Sequence, residues 1–286
     1  MTVLEVPPGG RVAVIGDLSG HADALRAELA RLGVPEGGAG RIPSDLRIVQ
    51  VGDLVHRGPD SAGVVALVDR HLRDTPGRWV QLVGNHDGYY VRRRQFTWDE
   101  RVPSRTAATL RRWWSEGAMR AAVAIRGADE WFVVTHAGVT RGFWSEILGA
   151  PADAVGTADA INALMRTKPR VLFRPGVLVG YRRPSMSAGP IWAAAGTELL
   201  ASWLDHELPF SQVHGHTSIY DWDSGSWYAD PAARSLAILD ESAKHVAVTL
   251  PGGRLVSVDP CHDAIARHDW RSFELSGPTC GGAAST

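Results

Sequence analysis

The sequence predicts an α/β fold that turns α+β in its C-terminal part, and three observations carry that prediction. Short apolar runs end three times in Gly plus Asp or Asn: Arg11 to Ile15 before Gly16-Asp17, Leu46 to Val51 before Gly52-Asp53, and Trp79 to Val83 before Gly84-Asn85. The first two are followed by helical patterning, over His21 to Leu32 and Ser61 to Leu72. Near the C-terminus, Ser235 to Leu239, His245 to Leu250 and Arg254 to Val258 are strand-like runs separated by turn residues, the pattern of hairpins or a meander that closes a second sheet.

The strand–helix repeats recur at about thirty residues, the span of a right-handed βαβ crossover, so the strand ends should lie side by side on one edge of a parallel sheet. Ligands of such sheets bind at that edge. Between Tyr89 and Ala128 the rhythm stops, and Arg92-Arg93-Arg94, Trp98 and Trp113-Trp114 suggest an inserted helical cap. Trp131 to Thr135 restores a buried strand ending at His136. A second insertion then runs from about 140 to 208, with a helix expected from Trp192 to Trp203, before Gln212-Val213 lead into His214-Gly215-His216-Thr217. No internal repeat and no convincing linker divides the chain, so residues 1–275 read as one domain and 276–286, rich in Gly, Ala, Ser and Thr, as a frayed tail.

The totals narrow the function classes. The chain has 286 residues, 44% of them hydrophobic, enough for a packed core. With 30 Lys plus Arg against 31 Asp plus Glu, no global field gathers duplex nucleic acid or an anionic membrane. Cys261 and Cys280 are too few for a disulfide framework, no secretion signal is evident, and no apolar run approaches the roughly 18 residues that span a bilayer. A cytoplasmic location and no membrane partner are the expectation; the oligomeric state is left open.

Asp17, Asp53, Asn85, His136 and His216 each follow a strand-like run. A pair of hard divalent cations needs a bridging carboxylate, further oxygen ligands and imidazoles, and these five supply those types. Singly, a Gly-Asp reads as a turn and a His as an ordinary side chain. Five in order argue for a site.

Gly16-Asp17-Leu18-Ser19-Gly20, Gly52-Asp53-Leu54-Val55-His56-Arg57-Gly58, Gly84-Asn85-His86-Asp87, His136-Ala137-Gly138 and Gly215-His216-Thr217 resemble, in order, the five motifs of the calcineurin-like metallophosphoesterases. The likeness is to the branch holding the serine/threonine phosphoprotein phosphatases, bacterial and phage protein phosphatases, and symmetrical diadenosine tetraphosphatase. It implies a two-sheet αββα sandwich with insertions roofing the site. It also implies Asp53 as the bridging carboxylate, Asn85, His136 and His216 on a second metal, and Asp17 on the first. His86 would be the general acid, titrating near neutrality, and Arg57 the grip on phosphoryl oxygens. The implied cofactors are one or two divalent metals per chain, manganese ahead of iron, zinc, cobalt or nickel. The implied reaction is attack of a metal-bound hydroxide on a phosphorylated protein or small molecule. Dinucleoside polyphosphate hydrolysis and a degenerate phospholigand-binding site are the alternatives.

Three positions depart from the motifs. Ser19 stands where the first motif has a metal-binding His, His56 where the second has the Asp that orients the catalytic His, and Ser218 where many relatives add a first-metal His. His56 and His214 are candidate replacement ligands, with His214 expected on the same sheet face as His216. His21 reads as a structural residue, and Asp87 is a candidate orienting carboxylate. The first metal should bind weakly, or the site should be mononuclear. Arg92 to Arg94 and Arg182-Arg183 either line the substrate approach or form solvated faces, and most of the tryptophans should be packing residues.

Overall fold

The computed structural model of the protein describes residues 2–6, 8–263 and 267–277. The first half contains β1 (Val3–Glu5), β2 (Arg11–Ile15), α1 (Ala22–Arg31), β3 (Leu46–Gln50), α2 (Ser61–Asp74), β4 (Trp79–Leu82) and α3 (Asn85–Val91). It continues with α4 (Ser104–Glu116), β5 (Met119–Arg120), β6 (Val123–Arg126), β7 (Trp131–Val134) and α5 (Ala154–Thr167). The last part holds β8 (Ser211–His214), β9 (Ala237–Asp240), β10 (His245–Leu250), β11 (Gly253–Ser257) and β12 (Phe273–Ser276). Residues 278–286 of the expected tail lie outside the described residues.

Two sheets form, one of five strands in the order β12-β2-β3-β4-β5 and one of seven in the order β1-β6-β7-β8-β11-β10-β9. Strand alternation explains the layers. In β2, Val12 and Val14 point between the sheets, where with Val49, Val80 and Leu82 they meet Ile125, Phe132, Val134, Val213 and Val256. Ala13 and Ile15 point outward against Leu25 and Leu29 of α1, Val64 and Val68 of α2, and Leu110 and Trp113 of α4. The far face of the seven-stranded sheet is covered by Ala158 and Ile161 of α5 at one end and by Leu199, Leu200 and Trp203 at the other. The result is the four-layer αββα sandwich. Both faces of the central strands are buried, which is why they read as unbroken apolar runs. Each fully buried Val, Leu or Ile contributes roughly 1.5–3 kcal/mol, so the strand ends are held by a rigid base.

Residues 89–128 prove to be only partly a roof. α4 belongs to the outer helical layer, where Leu110 and Trp113 pack at helical spacing, and β5 pairs parallel to β4, continuing the βα rhythm. Only the irregular stretch between α3 and α4 sends side chains over the site, Phe96 and Trp98. The helix expected from Trp192 begins later, as a π-helical turn over Ala195–Leu200 that continues into Ala201–Trp203. β9, β10 and β11 form the expected antiparallel meander, but β11 also pairs parallel to β8.

Candidate metal centre

The carboxyl ends of β2, β3, β4, β7 and β8 meet at one cleft of about 720 Å³, and Asp17, Asp53, Asn85, His86, Arg57 and His216 line it. The motif glycines allow this convergence. A Cβ at Gly84 would overlap the Asp53 carboxylate, and one at Gly215 would overlap the Asp17 carboxylate, so neighbouring loops approach closer than any side chain permits. Ser19, Asp53, His56, Arg57 and His216 all adopt left-handed backbone, with φ between 45° and 78°. Such strain in non-glycine residues gathers where the surroundings over-determine a site.

Asp53, His136 and His216 offer ligand atoms within 4.8 Å of one another, the one such cluster of His, Cys, Asp and Glu among the described residues. Asn85 Oδ1 lies 2.9 Å from His136 Nε2, and Asp53 Oδ1 lies 3.6 Å from the same nitrogen. His136 Nδ1 is 3.2 Å from the carbonyl of Val51; donating its proton there leaves Nε2 as a bare lone pair aimed at two oxygen acceptors. His216 Nε2 is buried without a partner among the described residues. Lone pairs converging in a buried place fit a divalent cation. Burial, and next the charge of Asp87, raise the Asp53 pKa well above the ordinary carboxylate value. Burial pushes His216 down to about 3 and His136 well below its usual value, so both imidazoles are in the neutral form that ligates.

His56 is buried with both nitrogens engaged. Nδ1 lies 2.6 Å from His86 Nδ1, and Nε2 lies 2.6 Å from Tyr90 Oη, which itself accepts the Val102 N–H at 3.1 Å. It therefore has no lone pair for a metal, and it occupies the place of the orienting carboxylate expected in the second motif. Burial, together with Arg101 and Arg57, lowers His56 to about 4; burial, with His56 and Arg57, lowers His86 to about 2. With both rings neutral, one proton order also gives the Tyr90 hydroxyl proton an acceptor. Tyr90 donates to His56 Nε2, His56 Nδ1–H donates to His86 Nδ1, and His86 Nε2 keeps its proton as a donor. Burial therefore moves His86 away from the near-neutral titration expected for it.

His214 is also withdrawn from the metal set. β8 ends at His214 and the left-handed His216 breaks the strand alternation, so the two rings do not share a face. The His214 ring lies on the outer side with Leu200, Val246, Val248 and Leu255, its Nδ1–H donating to Gly215 O at 3.0 Å. His21 Nε2 is bonded to the Asp263 carbonyl at 2.7 Å, consistent with a structural role. Asp87 does not orient His86 either: its carboxylate accepts the backbone N–H groups of Asp53 at 2.8 Å, Leu54 at 3.0 Å and Gly84 at 3.0 Å. It braces the second-motif loop against the third.

Arg57 is the only Arg or Lys among the cleft's described lining residues; Arg92 to Arg94 and Arg182-Arg183 do not line it. Its guanidinium lies 5.4 Å from the Trp98 ring centre and 3.7 Å from the Asp263 carboxylate. Two contributions were not foreseen. Buried Gln50 donates to Gly16 O at 3.0 Å and Gly52 O at 2.7 Å and accepts from Gly52 N–H at 2.9 Å, tying the first two motif loops together. Asp259, buried at the end of β11, also lines the cleft.

The fold and the donor set define a class, an αββα sandwich whose site fits a divalent metal. The sequence matches the calcineurin-like phosphoesterase family over residues 10–247, and the chain belongs to that family, an enzyme of phosphoester hydrolysis. Among solved structures, a cold-active protein-tyrosine phosphatase of a psychrophilic Shewanella species is similar with TM-score 0.53 at 16% identity, covering 91% of this chain and 73% of that one. A protein serine/threonine phosphatase from Saccharomyces cerevisiae with similarity to human phosphatase PP5 gives 0.48 at 13% identity, covering 91% and 70%. A putative diadenosine tetraphosphatase gives 0.42 at 20% identity, covering 91% and 88%. No curated protein matches in sequence. Among the described residues no helix is long and apolar enough to cross a membrane.

Proposed function

We propose that the protein is a metal-dependent phosphomonoesterase acting on a phosphoprotein or a small phosphorylated molecule, with manganese as its metal. The observation that carries this reading is the convergence of Asp53, His136 and His216 within 4.8 Å in a cleft that also holds Asn85, His86 and Arg57. In this reading Asp53, Asn85, His136 and His216 hold the second metal and Asp17 contributes to the first. Bound divalent metal supplies a water of lowered pKa as nucleophile and positive charge opposite the phosphoryl oxygens. Arg57 presents a permanently charged planar fork to those oxygens, braced by Trp98. His86 Nε2–H, held outward by the bond at Nδ1, hydrogen-bonds to the departing oxygen and stabilises the negative charge that grows there as its bond to phosphorus breaks. His56 and Tyr90 position that donor.

Turnover of p-nitrophenyl phosphate with added manganese, lost in Asp53→Asn, is the expected result. No turnover with manganese, iron, zinc, cobalt or nickel would overturn the enzyme reading in favour of a phospholigand-binding protein. A second reading, dinucleoside polyphosphate hydrolysis, draws on the aromatic side chains Phe96, Trp98, Trp192, Tyr220 and Tyr228 that line the cleft, which offer faces for a base. It requires diadenosine tetraphosphate to be cleaved with a higher kcat/KM than phosphoserine peptides.

A further inference from the structure

Ser19 and Ser218 leave the first metal position with Asp17 and the shared Asp53, and a third carboxylate lines the same cleft, although the oxygens of the three do not all lie within 4.8 Å of one another. β11 runs parallel to β8, and Val258 N–H donates to His214 O at 2.8 Å, so the pairing delivers Asp259 at the same edge that delivers His216. A Cβ at Gly16 would overlap the carbonyl of Val258, which places the backbone just before Asp259 against the backbone just before Asp17. Asp259 is 7% exposed and lines the cleft with Asp17, Ser19, Asp53 and Ser218. Among the described residues each of the two carboxylates receives one hydrogen bond, on Oδ1: His216 N–H to Asp17 at 3.0 Å and Cys261 N–H to Asp259 at 2.8 Å. Neither Oδ2 atom has a donor among the described residues.

A second observation points to the same end of the cleft. His262 is 4% exposed and lines it. Its Nδ1 accepts the Arg267 N–H at 3.0 Å, which leaves the proton of the neutral ring on Nε2, and that nitrogen has no partner among the described residues. An N–H so placed is no ligand; it is a donor that needs an oxygen. Asp17 and Asp259, both buried and delivered to this end of the cleft by adjoining backbone, repel unless a cation neutralises them.

We infer that Asp259 is a ligand of the first metal, which thereby gains the three carboxylates Asp17, Asp53 and Asp259 in place of the missing histidines, with His262 Nε2–H donating to an oxygen of that shell. The inference rests on the metallophosphoesterase reading. It makes the two positions chemically unequal: the first offers only protein oxygens, suited to manganese or magnesium, while the second adds two imidazoles and holds borderline metals more tightly.

The test is manganese binding to the full metal-stripped chain, followed by calorimetry and by electron paramagnetic resonance. The wild type is expected to bind two manganese ions, one more weakly, with spin coupling between them. Asp259→Asn should weaken the weaker site by more than about tenfold and abolish the coupling, while the tighter site is kept. Asp221→Asn, which removes another cleft carboxylate already bonded to Tyr228, should leave both sites intact. Asp259→Asn binding two ions with unchanged affinities would overturn the inference. So would a wild type that binds a single ion, an outcome that leaves the phosphoesterase reading standing; no metal bound and no turnover would sink that reading instead. A wild-type crystal soaked in manganese decides independently of how the variant folds. An anomalous peak within bonding distance of Asp259 supports the assignment, and a peak beside Asp17 that Asp259 does not touch refutes it.

Discussion

Replacing Asp87 separates a brace from an orienter of His86. Its carboxylate is buried and accepts three backbone N–H groups, with Oδ2 serving Asp53 and Gly84 and Oδ1 serving Leu54. In Asp87→Ala all three donors lose their partner in a place water does not reach. At about 1–3 kcal/mol per unsatisfied donor, less the relief of removing a buried carboxylate, the net loss should be about 3–6 kcal/mol. In Asp87→Asn the amide can keep its oxygen on the Asp53 and Gly84 donors and turn its NH2 toward Leu54 N–H, so a single donor is opposed and the loss should be about 2 kcal/mol. Urea unfolding of the metal-free variants measures both. Asp87→Ala within 1 kcal/mol of the parent, or Asp87→Asn the more damaged of the two, would refute the bracing role.

Further expectations concern the other groups of the site and the core. His56→Phe should keep the metal content of the parent while kcat falls on the order of a hundredfold, because its ring positions His86 and ligates nothing; loss of metal would reverse that assignment. Arg57→Ala should lower kcat/KM by about ten- to a hundredfold, the worth of a charge-assisted phosphate contact, and an unchanged value would remove Arg57 from substrate binding. His71 stacks on Trp79 with ring centres 5.4 Å apart, and burial holds its pKa below the ordinary value. A histidine with a depressed folded pKa contributes stability that is full above about pH 6.5 and is lost as the pH falls toward the folded value. His71→Phe should therefore flatten the acid limb of stability against pH, and an unchanged slope below pH 6.5 would contradict this.

Much of the centre could be read in the chain because Asp17, Asp53 and Asn85 each follow a buried apolar run and a glycine, a local signal for a parallel strand end. Asp259 follows the same kind of run, Arg254 to Val258, but without the glycine that marks the other three. The adjacent hairpin signals suggested only an antiparallel meander, and the parallel pairing of β11 with β8 joins segments some forty residues apart that no local pattern connects. The partner of His56 was hidden for a related reason: it depends on how α3 carries His86 and Tyr90 to the second-motif loop. α4 resembles a cap in sequence because its arginines and tryptophans mask an apolar stripe through Leu110 and Trp113, which the outer helical layer uses. The divergence of His214 from His216 turns on one left-handed residue, a backbone choice that tertiary packing imposes.

The most direct test of the central claim is a crystal structure grown with manganese and phosphate. The account predicts a metal surrounded by Asp53, Asn85, His136 and His216, with phosphate between it and Arg57 and within hydrogen-bond reach of His86 Nε2. A metal bound to His56 or His214, or phosphate held away from Arg57 and His86, would contradict it.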